Sequence, residues 1–196
     1  SISDVPKFMA FHTLSFYPDD NFSFTLGESI VYSEQLQPIY LIPVMFFRVA
    51  DHYLSRDNES ASGNAQIFAD ASYINRSIQT KFYGSLFIDE LSVNSIFEGG
   101  NLSALGYTLG IESVDLLIKN STIGLEYTRV NPFVYMNSVD AQTYANDSYR
   151  LGHWIGSNGD ILSFTYEQYL IRSLKISLST WYFRKGKNEL PDEQYS

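Results

Sequence analysis

Several segments of this chain alternate strictly between apolar residues and small or polar ones, and this pattern restricts the fold more than any other feature. In the segment 105–111, Leu, Tyr, Leu and Ile alternate with Gly, Thr and Gly. The segments 162–167 and 174–179 alternate in the same way. A period of two places successive side chains on opposite faces of a β-strand, so each of these strands has one apolar and one polar face. The pattern predicts an all-β protein.

The composition fits an antiparallel transmembrane β-barrel and a soluble β-sandwich about equally, and the apolar and polar faces of the strands make the barrel the leading prediction. Aromatic residues make up 16% of the chain, and 15 Tyr and 14 Phe stand against 2 Trp. Amphipathic rings of this kind collect where a bilayer meets water. The longest apolar run, 40–47, is interrupted by Pro43 and falls well short of the ~18 residues of a transmembrane helix. A soluble β-sandwich, with its apolar faces packed on each other, is the alternative fold.

Charge and cysteine content exclude several classes of function. The formal net charge of -9 argues against nucleic-acid binding, which needs clustered Lys and Arg. It suits a surface that binds cations or neutral sugars. The absence of Cys excludes a disulfide scaffold, a Cys-ligated metal and a Cys nucleophile.

The alternating segments and the turns between them predict a series of hairpins. The predicted strands are Lys7–Tyr17, Asn21–Val31, Ala65–Ile74, Ile78–Glu90, Ser103–Ser113, Ser121–Val130, Ile161–Leu170 and Leu174–Arg184. Short turns alternate with the longer segments 32–64, 91–101 and 131–160, as in outer-membrane barrels with their long loops outside the cell. For the segment 40–53 the sequence leaves open a short helix, in a loop or in the lumen, or a further strand. We expect the chain 1–196 to be one domain and part of a larger barrel, because its polar end lacks the usual terminal aromatic residue.

Two charged residues share the apolar side of their strands. Glu28 has the parity of Leu26, and Arg129 has the parity of Tyr127. A basic group facing the middle of the bilayer costs ~2–4 kcal/mol, and an acidic one costs less. We therefore expect both residues to lie beyond the membrane, near the extracellular rim.

Other charged residues are expected inside the barrel. Ladders of opposite charge help to hold the shape of a barrel lumen, and parity places Glu126 on the polar face. We assign Glu126, Arg129, Arg150 and Asp89 to structural ion pairs in the lumen rather than to a substrate site. No His-Glu-x-x-His motif, nucleophile elbow or phosphate-binding loop is present, so no catalytic residue, metal or cofactor is expected.

The segment 131–160 has the composition of a sugar-binding loop. Sugar recognition requires aromatic faces against the C–H side of the ring and planar polar groups for the hydroxyls. The candidate polysaccharide-binding residues are Tyr135, Tyr144, Tyr149, Trp154, Asn158 and Asp160. A loop that folds inward and plugs the pore, with its aromatic side chains packed, is the alternative, and the two are compatible.

Two of these stretches resemble a known family. Residues 126–135 read Glu-Tyr-Thr-Arg-Val-Asn-Pro-Phe-Val-Tyr, and residues 151–160 read Leu-Gly-His-Trp-Ile-Gly-Ser-Asn-Gly-Asp. With Phe11-His12, Gly27-Glu28 and Ile88-Asp89-Glu90 in the same order, the chain from about 11 to 184 resembles the capsule-assembly Wzi-like family of outer-membrane proteins. It departs from the family pattern at Ser157, where Pro is usual, and at Ile42, where Asn is usual.

The resemblance implies a barrel of about 18 strands with a periplasmic helical plug at its start. It also implies a non-enzymatic protein of the bacterial outer membrane that binds or anchors capsular or extracellular polysaccharide. The expected partners are surface polysaccharide, outer-membrane lipid and other envelope proteins. The alternative functions are a porin-like channel for small solutes and a structural accessory subunit of a larger outer-membrane complex, with an enzymatic barrel ranked behind both.

Overall fold

The structure of the chain, a computed structural model, is dominated by one antiparallel sheet. It describes residues 6–33, 35–43, 45–47, 49–50, 63–89, 104–132, 134–135, 142–146 and 149–186. The strands are β1 (Lys7–Phe16), β2 (Phe22–Ser33), β3 (Asn64–Asn75), β4 (Thr80–Asp89), β5 (Leu105–Val114), β6 (Ser121–Val130), β7 (Ala145–Asn146), β8 (Tyr149–Arg150), β9 (Gly159–Ile171) and β10 (Leu174–Lys185).

Eight of these strands form a meander in the order β1-β2-β3-β4-β5-β6-β9-β10, and β7 pairs with β8 in a small separate sheet. The prediction of an all-β, antiparallel fold is confirmed. Each predicted strand is present, and its described ends lie within two residues of the predicted ones. The bounds of β6 are as predicted, and the predicted ends Glu90 and Ser103 lie outside the described residues. Within the described residues the sheet is open, with β1 and β10 as its edges.

Short turns lie at one end of the sheet, called here the short-turn end, and long connections lie at the other, called the loop end. Asp19 fixes the β1–β2 turn, because its carboxylate accepts hydrogen bonds from the amides of Asn21 and Phe22 at 2.7 and 2.9 Å. In the β5–β6 turn Asp115 and Asn120 adopt left-handed φ angles of 57° and 62°, which these two residue types tolerate well. Local turn chemistry therefore sets the hairpin register.

The sheet has two chemically different faces. The apolar face carries Leu26, Phe82, Leu109, Leu125, Leu162 and Leu178. The polar face carries Thr25, Ser72, Ser85, Thr108, Glu126, Thr165 and Ser179. Much of the apolar face is exposed, including 59% of Leu109 and 56% of Leu178. The alternation in the sequence thus separates the two faces over most of the sheet. Exceptions on the edge strands are Phe11 of β1 and Trp181 and Phe183 of β10, which lie on the polar side.

The segment 38–50 covers the apolar face at the loop end of β1 and β2. It begins with the 3₁₀-helix Pro38–Leu41. Tyr40 and Phe47 pack with Ile30 and Tyr32 of β2 in a buried cluster. The segment therefore lies on the apolar face and not on the polar face, where a lumen position would have placed it. In the part of the chain that the structure describes, no helix is long and apolar enough to cross a membrane.

This covering segment also gives Glu28 a partner. The backbone amide of Phe47 donates a hydrogen bond of 2.9 Å to the Glu28 carboxylate. The ring of His12, directly opposite Glu28 in the register, lies 4.4 Å from the ring of Phe47. Glu28, an acidic residue on the apolar face, is thus half-buried and hydrogen-bonded to the protein at the loop end.

Candidate functional site

The connection between β6 and β9, residues 131–158, is called here the β6–β9 loop, and its described residues fold over the polar face at the loop end. Val134 and Ile155 of the loop pack against Val130 and Ile161 of the sheet in a buried cluster. Burial of these branched side chains fixes both ends of the loop where β6 and β9 meet. Residues 143 and 145 of the loop lie beside Lys7 of β1.

An aromatic stack holds the loop on the polar face. The rings of Tyr135 and Tyr144 lie parallel with centroids 5.6 Å apart, and Phe87 of β4 lies 5.2 and 5.6 Å from them. The amide of Tyr135 donates to the Asp89 carboxylate at 2.5 Å, and the amide of His153 donates to the Tyr135 hydroxyl at 3.0 Å. Burial raises the pKa of both tyrosines. These two predicted sugar-binding residues therefore hold the loop in place.

Two lysines tie the loop to the edge strands. The Lys7 ammonium donates to the carbonyls of Thr143 and Ala145 at 2.7 and 2.6 Å. The Lys185 ammonium donates to the carbonyl of Ile155 at 2.8 Å. An ammonium that donates to carbonyls satisfies backbone acceptors of an irregular segment. The loop is therefore linked to β1 as well as to β10.

Two other predicted residues are largely exposed to solvent. Tyr149 is 76% exposed and Trp154 is 64% exposed. The ring of His153 lies 5.6 Å from the ring of Trp154. Burial lowers the pKa of His153, and the negative charge of Glu126 opposes that shift. The four candidate aromatic residues thus divide into a packed pair and an exposed pair.

Asn158 and Asp160 lie where the chain enters β9. Asn158 adopts a φ of 52°, and its carbonyl accepts a hydrogen bond of 2.8 Å from the amide of Gly186. The Asp160 carboxylate, only 5% exposed, lies on the apolar face between Arg129 at 3.3 Å and Arg184 at 2.6 Å. Asp160 is therefore separated from the aromatic residues of the loop by the thickness of the sheet.

The residues assigned to lumen ion pairs occupy different places. Glu126 lies on the polar face, where the Tyr83 hydroxyl donates to it at 2.7 Å. Arg129 lies on the apolar face and pairs with Asp160, so the expected position of Arg129 in a lumen ion pair is wrong. The physical reason is that odd and even positions of β6 face opposite sides of the sheet, and Glu126 and Arg129 therefore lie on different faces. The side chain of Arg150 falls outside the described residues. Sequence parity contains the signal for Arg129, whereas Asp160 lies in β9 and not in the loop to which its sequence position assigned it.

A polar groove of about 350 Å³ lies on the polar face in the middle of the sheet. Its lining includes Asp70, Lys81, Tyr83 and Glu126. The other lining residues are mainly Ser, Thr and small residues of β2 to β5. Hydroxyl, carboxylate and ammonium groups in one groove offer the donors and acceptors that a polyol or a hydrated ion requires.

Within the described part of the chain, no group of three or more His, Asp or Glu side chains is placed to hold a metal ion. Comparisons of the chain with family models, with curated proteins and with solved structures find no match.

Proposed function

We propose that the chain forms part of a β-barrel in the bacterial outer membrane, with the apolar face against lipid and the polar face towards a lumen. The support is the exposed apolar surface that continues across β1 to β10, including 66% of Tyr182. Strands of 10 residues such as β5 and β6 extend ~34 Å, and a tilt of ~40° reduces this to the ~25 Å apolar band of such barrels. A soluble sandwich would need a second sheet to cover this face.

The positions of the charges on the apolar face support the same orientation. Both charges lie at the loop end. Glu28 contacts Phe47 of the segment 38–50, and Arg129 pairs with Asp160. A charge at the rim avoids most of the ~2–4 kcal/mol that a basic group costs at the bilayer midplane.

The membrane part of the proposal is tested on the protein extracted from its membrane. A barrel requires detergent, gives a β-type circular dichroism spectrum and migrates differently on a gel before and after boiling. Solubility without detergent would favour the β-sandwich, and a secreted lectin would then become the leading hypothesis.

For function, we propose that the loop end binds surface polysaccharide through Tyr149 and Trp154. The observation that carries this proposal is the exposure of these two rings, 76% and 64%, on a loop that Tyr135 and Tyr144 fasten to the sheet. A rigid support reduces the ordering cost of binding, and exposed aromatic faces suit the C–H side of sugar rings. The resemblance to the Wzi-like family points to the same class of ligand.

Substitution of the exposed rings tests this function. With the surface polysaccharide of the source cell as ligand, Trp154→Ala and Tyr149→Ala should each weaken binding by about tenfold, a loss of roughly 1.4 kcal/mol per ring. Tyr169→Ala is the matched control, because Tyr169 is also half exposed but lies at the short-turn end. Unchanged binding in both loop variants, or an equal loss in the control, would contradict the proposal.

A porin-like channel is the second candidate, and the polar groove favours it. Asp70 and Glu126 outnumber Lys81 in the groove, so a channel that follows it would prefer cations. Conductance across a planar bilayer would test this function. A cation preference that is reduced in Asp70→Asn and Glu126→Gln supports a channel. If the protein shows no conductance but still binds polysaccharide, the channel is excluded and polysaccharide binding remains as the proposed function.

A further inference from the structure

Three charged residues form a row across β6, β9 and β10 on the apolar face, called here the charged row. Arg129 and Arg184 each lie directly opposite Asp160 in the strand register. Arg184 holds the carboxylate with two hydrogen bonds, Nε to Oδ1 at 2.9 Å and Nη2 to Oδ2 at 2.6 Å. Arg129 adds a bond of 3.3 Å from Nη1 to Oδ2. Two positive charges and one negative charge leave the row with a net charge of +1.

The side chains next to the charged row change in the order that a membrane surface requires. The adjacent row towards the short-turn end contains Tyr127, Leu162 and Tyr182, and Tyr182 is 66% exposed. The row beyond it contains Leu125, Phe164 and Thr180. A charged row, followed by a row with two tyrosines and then by a largely apolar row, corresponds to the headgroup, interface and hydrocarbon layers of a bilayer. The charged row is therefore at headgroup depth if the apolar face contacts lipid.

The arginines keep hydrogen-bond donors beyond those that hold Asp160. A guanidinium has five N–H groups. Within the described residues, Arg184 uses two of them on Asp160, and Arg129 uses one on Asp160 and one on the Asn131 side chain at 3.1 Å. The side chain of Arg184 is 66% exposed. Asp160 fixes the direction of both guanidinium groups, which leaves further donors at the surface for an anion.

We propose that Arg129 and Arg184 bind the phosphate group of a lipid headgroup in the leaflet at the loop end. Guanidinium groups match phosphate oxygens in pairs, and a phosphate monoester carries the negative charge that the row lacks. This inference rests on the proposed membrane position of the chain. A free phosphate ion offers the same chemistry, and the experiment below separates the two sources.

The test uses the detergent-folded protein and native mass spectrometry to count bound lipids. Phosphatidic acid, a lipid with a phosphate monoester, should bind in preference to phosphatidylcholine. Arg184→Gln and, separately, Arg129→Gln should each reduce the binding of phosphatidic acid by about tenfold, as expected when charge-assisted hydrogen bonds are lost. Lys175→Gln is the matched control, because Lys175 also lies on β10 and pairs with a carboxylate, that of Glu167 at 2.8 Å, but near the short-turn end.

Each outcome bears on the proposal. Equal binding of the two lipids, or an equal loss in Lys175→Gln, overturns it and leaves the charged row as a structural ion pair. Displacement of phosphatidic acid by millimolar inorganic phosphate would identify the free ion as the ligand and overturn the lipid assignment. Heat-dependent gel migration of every variant shows whether the barrel has formed, so a failure of the membrane proposal is distinguished from a failure of this inference.

Discussion

Gly110 lies on the polar face of β5 beneath the ring of Tyr83, and its replacement by Ala should destabilise the sheet. Tyr83, Gly110 and Glu126 lie side by side on β4, β5 and β6. The Tyr83 ring crosses above the glycine, and its hydroxyl donates to Glu126 at 2.7 Å. A Cβ atom at Gly110 would lie 2.5 Å from Cε2 of that ring, whereas carbon atoms normally approach only to ~3.5–4.0 Å. The ring must therefore move and release Glu126.

The expected loss in the free energy of unfolding is the sum of three contributions. A hydrogen bond to a charged acceptor is worth ~1.5–3 kcal/mol, and the lower value applies because both side chains are only partly buried. Displacement of a packed ring adds ~1 kcal/mol. Replacing Gly by Ala in a strand returns ~0.5–1 kcal/mol. The free energy of unfolding should thus fall by about 1.5–2 kcal/mol, which shifts a urea midpoint by ~1 M.

Urea unfolding of the folded protein, followed by circular dichroism, measures this shift. Gly106→Ala is the matched control on the same strand and face, because the nearest atom to its added Cβ, the carbonyl oxygen of Arg129, lies at an ordinary 3.7 Å. Gly110→Ala in a Tyr83→Ala background should raise the free energy of unfolding by ~0.5–1 kcal/mol, since the obstructing ring is absent. Equal midpoints for Gly110→Ala and Gly106→Ala would refute the reasoning.

Three further predictions concern the β6–β9 loop. Lys7→Met should raise the hydrogen-exchange rates of loop amides, because it removes the ammonium that ties the loop to β1; unchanged rates would contradict this role. Tyr144→Ala should lower the free energy of unfolding in urea by ~2–3 kcal/mol, and Tyr149→Ala should lower it by less than ~0.5 kcal/mol, because the two side chains are 8% and 76% exposed. An NMR titration should give His153 a pKa below 6.5, and Glu126→Gln should lower that pKa further. Because the folded state then binds fewer protons than the unfolded chain, this histidine should reduce stability as pH falls from 6.5 towards its folded pKa.

The strands were predictable because each one carries its own signal. A period of two and an Asp-, Asn- or Ser-containing turn define a strand without knowledge of its neighbours, and β6 was predicted with the bounds Ser121–Val130. The segment 38–50 has no such period, so its position depends on packing with β2. A sequence does not state which face of a sheet an aperiodic segment will cover.

The candidate site was predictable only in composition. The sequence located an aromatic, amide-rich loop, but which rings pack and which remain exposed depends on Phe87, a residue of β4 far away in the chain. The pairing of Asp160 with Arg129 and Arg184 depends on strand register in the same way. Parity assigns a residue to a face, but only register brings charges on three strands together.

The tie between Lys7 and the β6–β9 loop has a mechanical consequence. Val134 and Ile155 of the loop pack against β6 and β9, and the carbonyls of Thr143 and Ala145 accept hydrogen bonds from Lys7 on β1. The described parts of the loop therefore connect the first edge strand to the other half of the sheet across its polar face. A movement that separates β1 from β6 on this face requires the ammonium–carbonyl contacts to break first.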